Sequence, residues 1–278
     1  MIIEKKISDE ENRWLCATPS KLEVKQAVFS IPKNSSLGPD GFGSGFYMSC
    51  RDIIKEDVVE AARDFFRGAP LSRFYSSSFI VLILKVPEPS SFEKFRPISL
   101  CSMAYKKFSN IIVNRLNSIL DSLVSHEQAF GFSEDVCQII ANCVQSQWFS
   151  IMMNGTFHGY FQSARGLHQG DHLSPYLLIL MEEVLTRLLR KNFEEGRIGK
   201  FSHPISAPLV SHLLYVDDIL IFANEGKRKR SLLSLMGFKE CKFPVTYLGV
   251  LLVSGRLTTQ DEDILRELVS EKVVEEIL

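Results

Sequence analysis

Hydrophobic and polar positions alternate in two different periods along this chain. Leu22, Val24, Ala27 and Val28 recur at helical spacing, which predicts a short amphipathic helix over 21–29, capped by Ser20 with Glu23 three residues on. Ile53, Ile54, Val58, Ala61, Ala62, Phe65 and Phe66 predict a second helix over 52–66, ended by Gly68 and Pro70. Residues 79–86 form an apolar run of strand length, stopped by Pro87 and Pro89 and interrupted by one cation, Lys85. Further helices are expected over 104–124, 136–144 and 175–190, the last with Pro175 in its first turn. Residues 213–223 read as two short apolar runs hinged on Asp217 and Asp218, 245–253 as a strand, and 261–278 as an amphipathic tail. The stretch 34–45, with Gly38, Pro39, Asp40, Gly41, Gly43 and Gly45, is a turn-rich loop. It lacks the Gly-Lys-Ser/Thr that closes a phosphate cradle.

Composition narrows the function classes. A hydrophobic content of 45% over 278 residues is enough for a sizeable core, in one large domain or two smaller ones. No apolar run approaches the roughly 18 residues of a membrane span, and the N-terminus has no apolar core followed by a cleavage site. An intracellular protein is therefore expected, with nucleus and cytoplasm both open. The six cysteines are scattered without a Cys-x-x-Cys pair, so they read as reduced thiols. With a formal net charge of −1, composition gives no support for nucleic-acid binding, and any such claim rests on motifs. Lys227 to Arg230 fits a solvated helix face, or a nuclear-import or nucleic-acid patch. His168 and His172 are four apart, but Gly170 and Pro175 argue for a loop, where that spacing does not converge on one metal ion.

The sharpest chemical signal is the carboxylate pair. A hairpin made from the runs on either side of Asp217 and Asp218 would place both at its tip or first pair. Two carboxylates about 5 Å apart repel by roughly 3 kcal/mol at an effective dielectric of 20, and a divalent cation reverses that cost. Magnesium suits the task because it prefers oxygen ligands and binds through one or two carboxylates plus substrate phosphates. Aspartate is also a favoured turn residue, and an Asp pair between strands is usually an ordinary turn.

Five ordered segments change the weight of that pair. Ser36-Leu37-Gly38-Pro39-Asp40-Gly41-Phe42, Phe95-Arg96-Pro97-Ile98-Ser99-Leu100, the stretch from Ala164 through Gln169-Gly170-Asp171 to Pro175, Tyr215-Val216-Asp217-Asp218 and Tyr247-Leu248-Gly249-Val250 resemble the successive blocks of LINE-type, non-LTR retrotransposon reverse transcriptases, particularly those of plants. The resemblance implies an α+β, right-hand polymerase fold of fingers and palm, with an incomplete palm sheet and no thumb. It divides the chain into a fingers-like region over 1–130, a partial palm over 131–258 and a helical acidic tail over 259–278. It implies RNA-directed DNA polymerisation on an RNA template and DNA primer with deoxynucleoside triphosphates and magnesium. Asp217 and Asp218 would be the catalytic metal ligands, Lys85 and Arg96 the cations on the triphosphate, Gln169 the residue beneath the nucleotide, and Tyr215 the neighbour of the primer end. An arginine fork suits phosphate oxygens, and a lysine in an apolar strand gains most where its charge reaches solvent or an anion. The family typically has arginine where His168 stands, proline at His172 and often alanine at Val216.

One block of the resemblance is missing. The family's first catalytic aspartate lies between a Glu-Gln-x-x-Phe segment and a Gly-Phe segment, and here Glu127-Gln128-Ala129-Phe130 runs directly into Gly131-Phe132. Glu134, Asp135 and Asp171 are the carboxylates available to replace it, and Asp135 reads as ordinary first-turn chemistry of a helix. The expectation is a reverse-transcriptase domain impaired in catalysis. The alternative is an inert or weakly nucleic-acid-binding remnant.

Overall fold

The computed structural model describes residues 7–123, 130–162, 167–199, 210–215, 218–224, 237, 239–241, 243–247 and 250–252. The chain divides into two compact units, Met1–Leu188 and Leu189–Leu278.

The first unit opens with α1 (Asp9–Cys16), which starts at a reciprocal cap: Ser8 accepts from the Glu11 backbone N–H while Glu11 accepts from that of Ser8. Next come α2 (Lys21–Phe29), α3 (Ser44–Ser49), α4 (Arg51–Phe66) and α5 (Arg73–Ser76), then β1 (Ser77–Leu84) and β2 (Phe95–Cys101). Helix α6 (Met103–Leu123) is followed by α7 (Glu134–Gln145), β3 (Trp148–Met153), β4 (Thr156–Gln162) and α8 (Ser174–Glu194), whose residues from Leu189 on belong to the second unit. The expected Ser20 cap on α2 is present, its side chain accepting from the Glu23 N–H at 3.1 Å.

Helix α6 organises the core. Tyr105, Phe108, Ile111, Ile112 and Leu116 are buried along it, and α1, α2, α4 and α7 supply Leu15, Val24, Phe65 and Ile139 to the same cluster. Three cations on this helix, Lys106, Lys107 and Arg115, are buried with it. The Arg115 guanidinium donates to both carboxylate oxygens of Glu23 and to the carbonyls of Leu15 and Ala17.

The sheet order is β2-β1-β3-β4, with β1 antiparallel to β2, parallel to β3, and β3 antiparallel to β4. Ser78, Cys101 and Phe149 lie opposite one another in register and are buried. The other face carries Phe79 stacked on Phe157 and Trp148 stacked on Tyr160, and Arg73 lies over the Trp148 ring at 4.2 Å. The expected strand over 79–86 is displaced: it spans Ser77–Leu84 and stops before Lys85, because the 3-10 turn Phe92–Lys94 closes the hairpin there. The β3–β4 hairpin was not expected, although Asn154-Gly155 marks it. Both residues have positive φ, 51° and 77°, the requirement of a type I′ turn.

The glycine-rich loop proves to be a docking element for α6. Asp40 accepts from the Met103 N–H at 2.8 Å, and Ser102 accepts from that of Tyr105, so two free donors of the helix start are satisfied internally. Lys106 Nζ donates back to the Ser36 carbonyl at 2.7 Å. A Cβ on Gly38 would lie 2.3 Å from the Cys101 carbonyl oxygen and 2.6 Å from Ser102 Cα. Both neighbours are backbone and cannot swing aside. Gly38→Ala is expected to lower stability by about 1–3 kcal/mol, read as an earlier urea midpoint at unchanged slope.

The second unit contains two hairpins. β5 (His212–Tyr215) pairs with β6 (Asp218–Ile221), and β7 (Val245–Tyr247) with β8 (Val250–Leu252). The single strand expected over 245–253 is instead two strands of an antiparallel pair, Val245–Tyr247 and Val250–Leu252. Tyr247 Oη donates to the Asp218 carbonyl at 3.1 Å and joins the hairpins. The expected basic patch at 227–230 and the tail over 261–278 lie outside the described residues. Among the described residues, no helix is long and apolar enough to cross a membrane.

Candidate active site

The β5–β6 hairpin places its charged end as the apolar pattern required. Leu213↔Leu220 and Leu214↔Ile219 pair along it, and Tyr215↔Asp218 is the last pair, leaving two residues to make the connection. Asp217 and Val216 are those two and lie outside the described residues. Tyr215 is 59% exposed, and Asp218 is exposed beside it. Among the described residues the Asp218 side chain engages no ion pair, and its recorded hydrogen bond uses the backbone carbonyl. An uncommitted, solvent-facing carboxylate is a suitable donor for a hard cation such as magnesium.

The other expected ligand-binding residues gather around β2 in the first unit. Arg96 stands opposite Ile83 in the β1–β2 ladder. Lys85 continues that ladder through its N–H to the Lys94 carbonyl at 2.8 Å, so alternation places it two positions from Ile83 on the side that carries Arg96. Both cations are exposed, and neither has an ion-pair partner among the described residues. Gln169 reaches the same strand from another direction. Its carbonyl accepts from the Ser99 N–H at 2.7 Å on the free edge of β2, and its side chain is exposed. Ser99 is three residues from Arg96, or about 10 Å along a strand. Gly170 makes the approach possible: its φ is +102°, and a Cβ there would meet the Ser99 carbonyl at 2.6 Å. The companion position Gly166 lies outside the described residues.

The neighbouring loop carries buried polar groups whose roles are structural. Asp171 is 5% exposed and accepts from Tyr105 Oη at 2.9 Å, the Leu173 N–H at 3.1 Å and Ser174 Oγ at 3.3 Å. It fixes the loop to α6 and to the start of α8. His172 Nδ1 lies 2.7 Å from Asn110 Oδ1, whereas the His168 ring packs on Phe149 at 4.6 Å. Burial pushes both histidines below the ordinary imidazole range, with Asp171 opposing weakly. A neutral imidazole at 168 brings no charge where the resemblance expects an arginine. Among the described residues, no group of three or more His, Cys, Asp or Glu side chains is placed to hold a metal ion.

Where the resemblance expects a further block, the chain passes from Phe130 to the Ser133 cap of α7 with no intervening strand. This short passage is stitched to the N-terminal segment: the Ile7 N–H donates to the Phe130 carbonyl, Asn12 Nδ2 to that of Gly131, and the Ser133 N–H to Asn12 Oδ1, at 2.9, 2.9 and 2.7 Å. Glu134 and Asp135 follow in the exposed first turn of α7. These partners 119 and 121 residues away escaped sequence reasoning, although a helix-capping Ser8-x-x-Glu11 beside Asn12 marks the segment.

Residues 120–239 match the family described as reverse transcriptase (RNA-dependent DNA polymerase). Over those residues the chain is similar to a reverse transcriptase. The match covers less than half of the chain, and it includes the Gln169 loop and the Tyr215–Asp218 hairpin while Lys85 and Arg96 precede it. An uncharacterized mitochondrial protein of Arabidopsis thaliana is 45% identical over 67 residues, which are 24% of this chain and 55% of that protein. The uncharacterized 149 kDa protein of transposon TX1 from Xenopus laevis is 26% identical over 125 residues, 45% of this chain and 10% of that protein. The chain thus spans about half the length of the first relative and a tenth of the second. The region similar to reverse transcriptase lies in a chain of mixed α and β structure.

Proposed function

We propose that this protein is a LINE-type reverse transcriptase remnant in which RNA-directed DNA polymerisation is impaired. The observation that carries the reading is the passage from Phe130 to Ser133, closed by hydrogen bonds to Ile7 and Asn12 and holding no strand or aspartate between its ends. In this reading Asp171, Glu134 and Asp135 do not replace the lost carboxylate. Asp171 is occupied by three donors, and Glu134 and Asp135 serve the exposed first turn of a helix.

The remaining residues keep the roles their positions suit. Lys85 and Arg96, exposed on one side of the β1–β2 hairpin, would bind the triphosphate of an incoming nucleotide. Gln169, fixed to β2 through its carbonyl, would support the nucleotide, and Tyr215 would flank the primer end. Asp217 and Asp218 would hold magnesium, which when bound stabilises the developing charge of phosphoryl transfer. Without the first aspartate the donor set is short of one carboxylate, so weakened cation binding is expected. In this reading residues 1–130 are fingers-like, 131–258 a partial palm and 259–278 an acidic tail, and the template is RNA with a DNA primer.

Primer extension on purified protein, with magnesium, all four deoxynucleotides and an Asp217→Asn control, tests the proposal. The expected result is no template-dependent incorporation above the control. Incorporation that disappears in Asp217→Asn would overturn the impairment and show that another carboxylate completes the site.

A further inference from the structure

Helices α1 and α7 share a seam that the polymerase reading does not use. Asn12 on α1 accepts from the Ser133 N–H at 2.7 Å and donates to the Gly131 carbonyl at 2.9 Å. Leu15 lines a small cavity together with Val136, Ile139 and Ile140 of α7. Residues four apart lie on one face of a helix. Cys16 follows Asn12 by four, and Cys137 follows Ser133 by four, its N–H donating to the Ser133 carbonyl at 3.1 Å. The bonded pair Asn12 and Ser133 thus carries one cysteine on each helix at its next turn. The Cys16 thiol reaches the Ser133 hydroxyl and lies close enough to Cys137 for their charges to interact. The two differ in exposure: Cys16 is half-buried against the core, and Cys137 is exposed.

We propose that Cys16 and Cys137 form a redox-active thiol pair, closed by low-molecular-weight disulfides such as oxidised glutathione into a bond that joins α1 to α7. The exposed Cys137 reacts first: its thiolate attacks one sulfur of the small disulfide, displaces one thiolate and leaves a mixed disulfide. Burial pushes the Cys16 thiol up, so Cys16 is the resolving group. It gives its proton to solvent, attacks the Cys137 sulfur and displaces the second small thiol. Two protein thiols are oxidised, and one small disulfide is reduced to two thiols. A bridge needs Cα atoms within about 7 Å, and Cys16, the last residue of α1, sits where a small backbone shift disturbs least. Among the described residues no third His, Cys, Asp or Glu joins the two, so they do not support a metal site. Cys101 and Cys143 are buried, and burial raises their thiols far above the neutral range, which keeps them out of this exchange. The bond would lock the N-terminal helix to the Phe130–Ser133 passage and reinforce the hydrogen bonds from Ile7 and Asn12.

Cys241 is the other exposed thiol, so the test uses the full chain carrying Cys241→Ser. The protein is equilibrated with excess oxidised glutathione, alkylated under denaturing conditions and mapped by peptide mass spectrometry. The expected product joins the Cys16 and Cys137 peptides within one chain and leaves Cys50, Cys101 and Cys143 alkylated. Oxidation should raise the melting midpoint by about 5 °C or more, because the bridge closes a long loop, and dithiothreitol should reverse the rise. Adding Cys16→Ser or Cys137→Ser should remove both the cross-link and the rise. Should Cys16→Ser lose its fold, Cys137→Ser at its exposed position provides the same comparison. A lasting glutathione adduct on Cys137 with Cys16 still free overturns the proposal, because the two sulfurs then do not meet. A bridge from Cys137 to Cys50, or one that links two chains on a non-reducing gel, overturns it as well. A Cys16–Cys137 bridge that leaves the midpoint unchanged overturns the lock. Every outcome is read without nucleic acid or magnesium, so this proposal and the polymerase reading fail independently.

Discussion

Replacing Arg115 by methionine is expected to cost about 3–5 kcal/mol of folding stability, because the substitution leaves partners of a buried cation uncompensated. The guanidinium is 3% exposed on its side chain and donates to Glu23 at 2.7 and 3.1 Å. It also donates at 2.7 Å to the carbonyls of Leu15 and Ala17, which lie at and just beyond the end of α1. Those carbonyls have no helical partner, so one side chain completes α1 and clamps it and α2 against α6. Its plane also lies over Phe66 at 4.5 Å, so apolar contact is lost with the charge. Since small domains hold only about 5–15 kcal/mol in total, the variant should be largely unfolded at room temperature or show a greatly reduced urea midpoint. Adding Glu23→Leu should recover part of the loss by removing the stranded carboxylate. A cycle in which the single Arg115 change costs under about 1 kcal/mol would falsify the clamp.

Lys107 gives the second large effect, with the opposite sign. Burial pushes its ammonium down to about 8, against an ordinary 10.5, and Asp40 only partly opposes this. The folded state therefore resists the proton more than the unfolded chain does. Below about pH 8 the unfavourable contribution is fully present, and it is relieved as pH rises from about 8 toward 10.5. A gap of about 2.5 units corresponds to roughly 3 kcal/mol as an upper figure. The Tyr47 ring, 4.0 Å from Nζ, offsets part of it. Stability should thus increase between pH 8 and 9, before the buried thiols Cys101 and Cys143, whose values burial raises, begin to oppose it. Lys107→Met should match or exceed the parent at pH 7 and lose this rise. Parallel melting curves for both proteins at pH 7, 8 and 9 are the measurement, and identical pH slopes would remove Lys107 as the cause.

These two residues show why part of the fold was legible and part was not. Lys106, Lys107 and Arg115 look from sequence like the polar side of an amphipathic helix, yet all three are buried. Their acceptors and rings include Ser36, Tyr47, Leu15, Ala17 and Glu23, 60 to 100 residues away, and no local periodicity reports them. The glycine-rich loop hid its purpose for the same reason, since Gly38 and Asp40 matter through Cys101, Ser102 and Met103. Where the decisive interaction is local, the pattern sufficed. The bounds of α2 and its Ser20 cap agree with the expectation, and the β5–β6 hairpin follows from two apolar runs around an acidic turn. The β3–β4 hairpin was also local and was missed, because a run such as Trp148 to Met153 reads equally as strand or buried helix until Asn154-Gly155 is weighed. Sequence order proposed Lys85, Arg96, Gln169, Tyr215 and Asp218 as site residues. It did not reveal that a backbone bond to Ser99 sets Gln169 on the edge of β2.

Strand β4 has a practical consequence for anyone preparing this protein. Among the described residues it forms one border of the four-stranded sheet, all seven of its residues are exposed, and Phe157, Tyr160 and Phe161 project from it. Unpaired backbone along such a border is a template for strand addition by another molecule. The register irregularity between Phe149 and Ile151 and the left-handed Gly159, at φ +67°, disturb its regularity and blunt that tendency. Precipitation during concentration should therefore begin at this border, and a lysine in place of Phe157 or Phe161 is the remedy the geometry recommends.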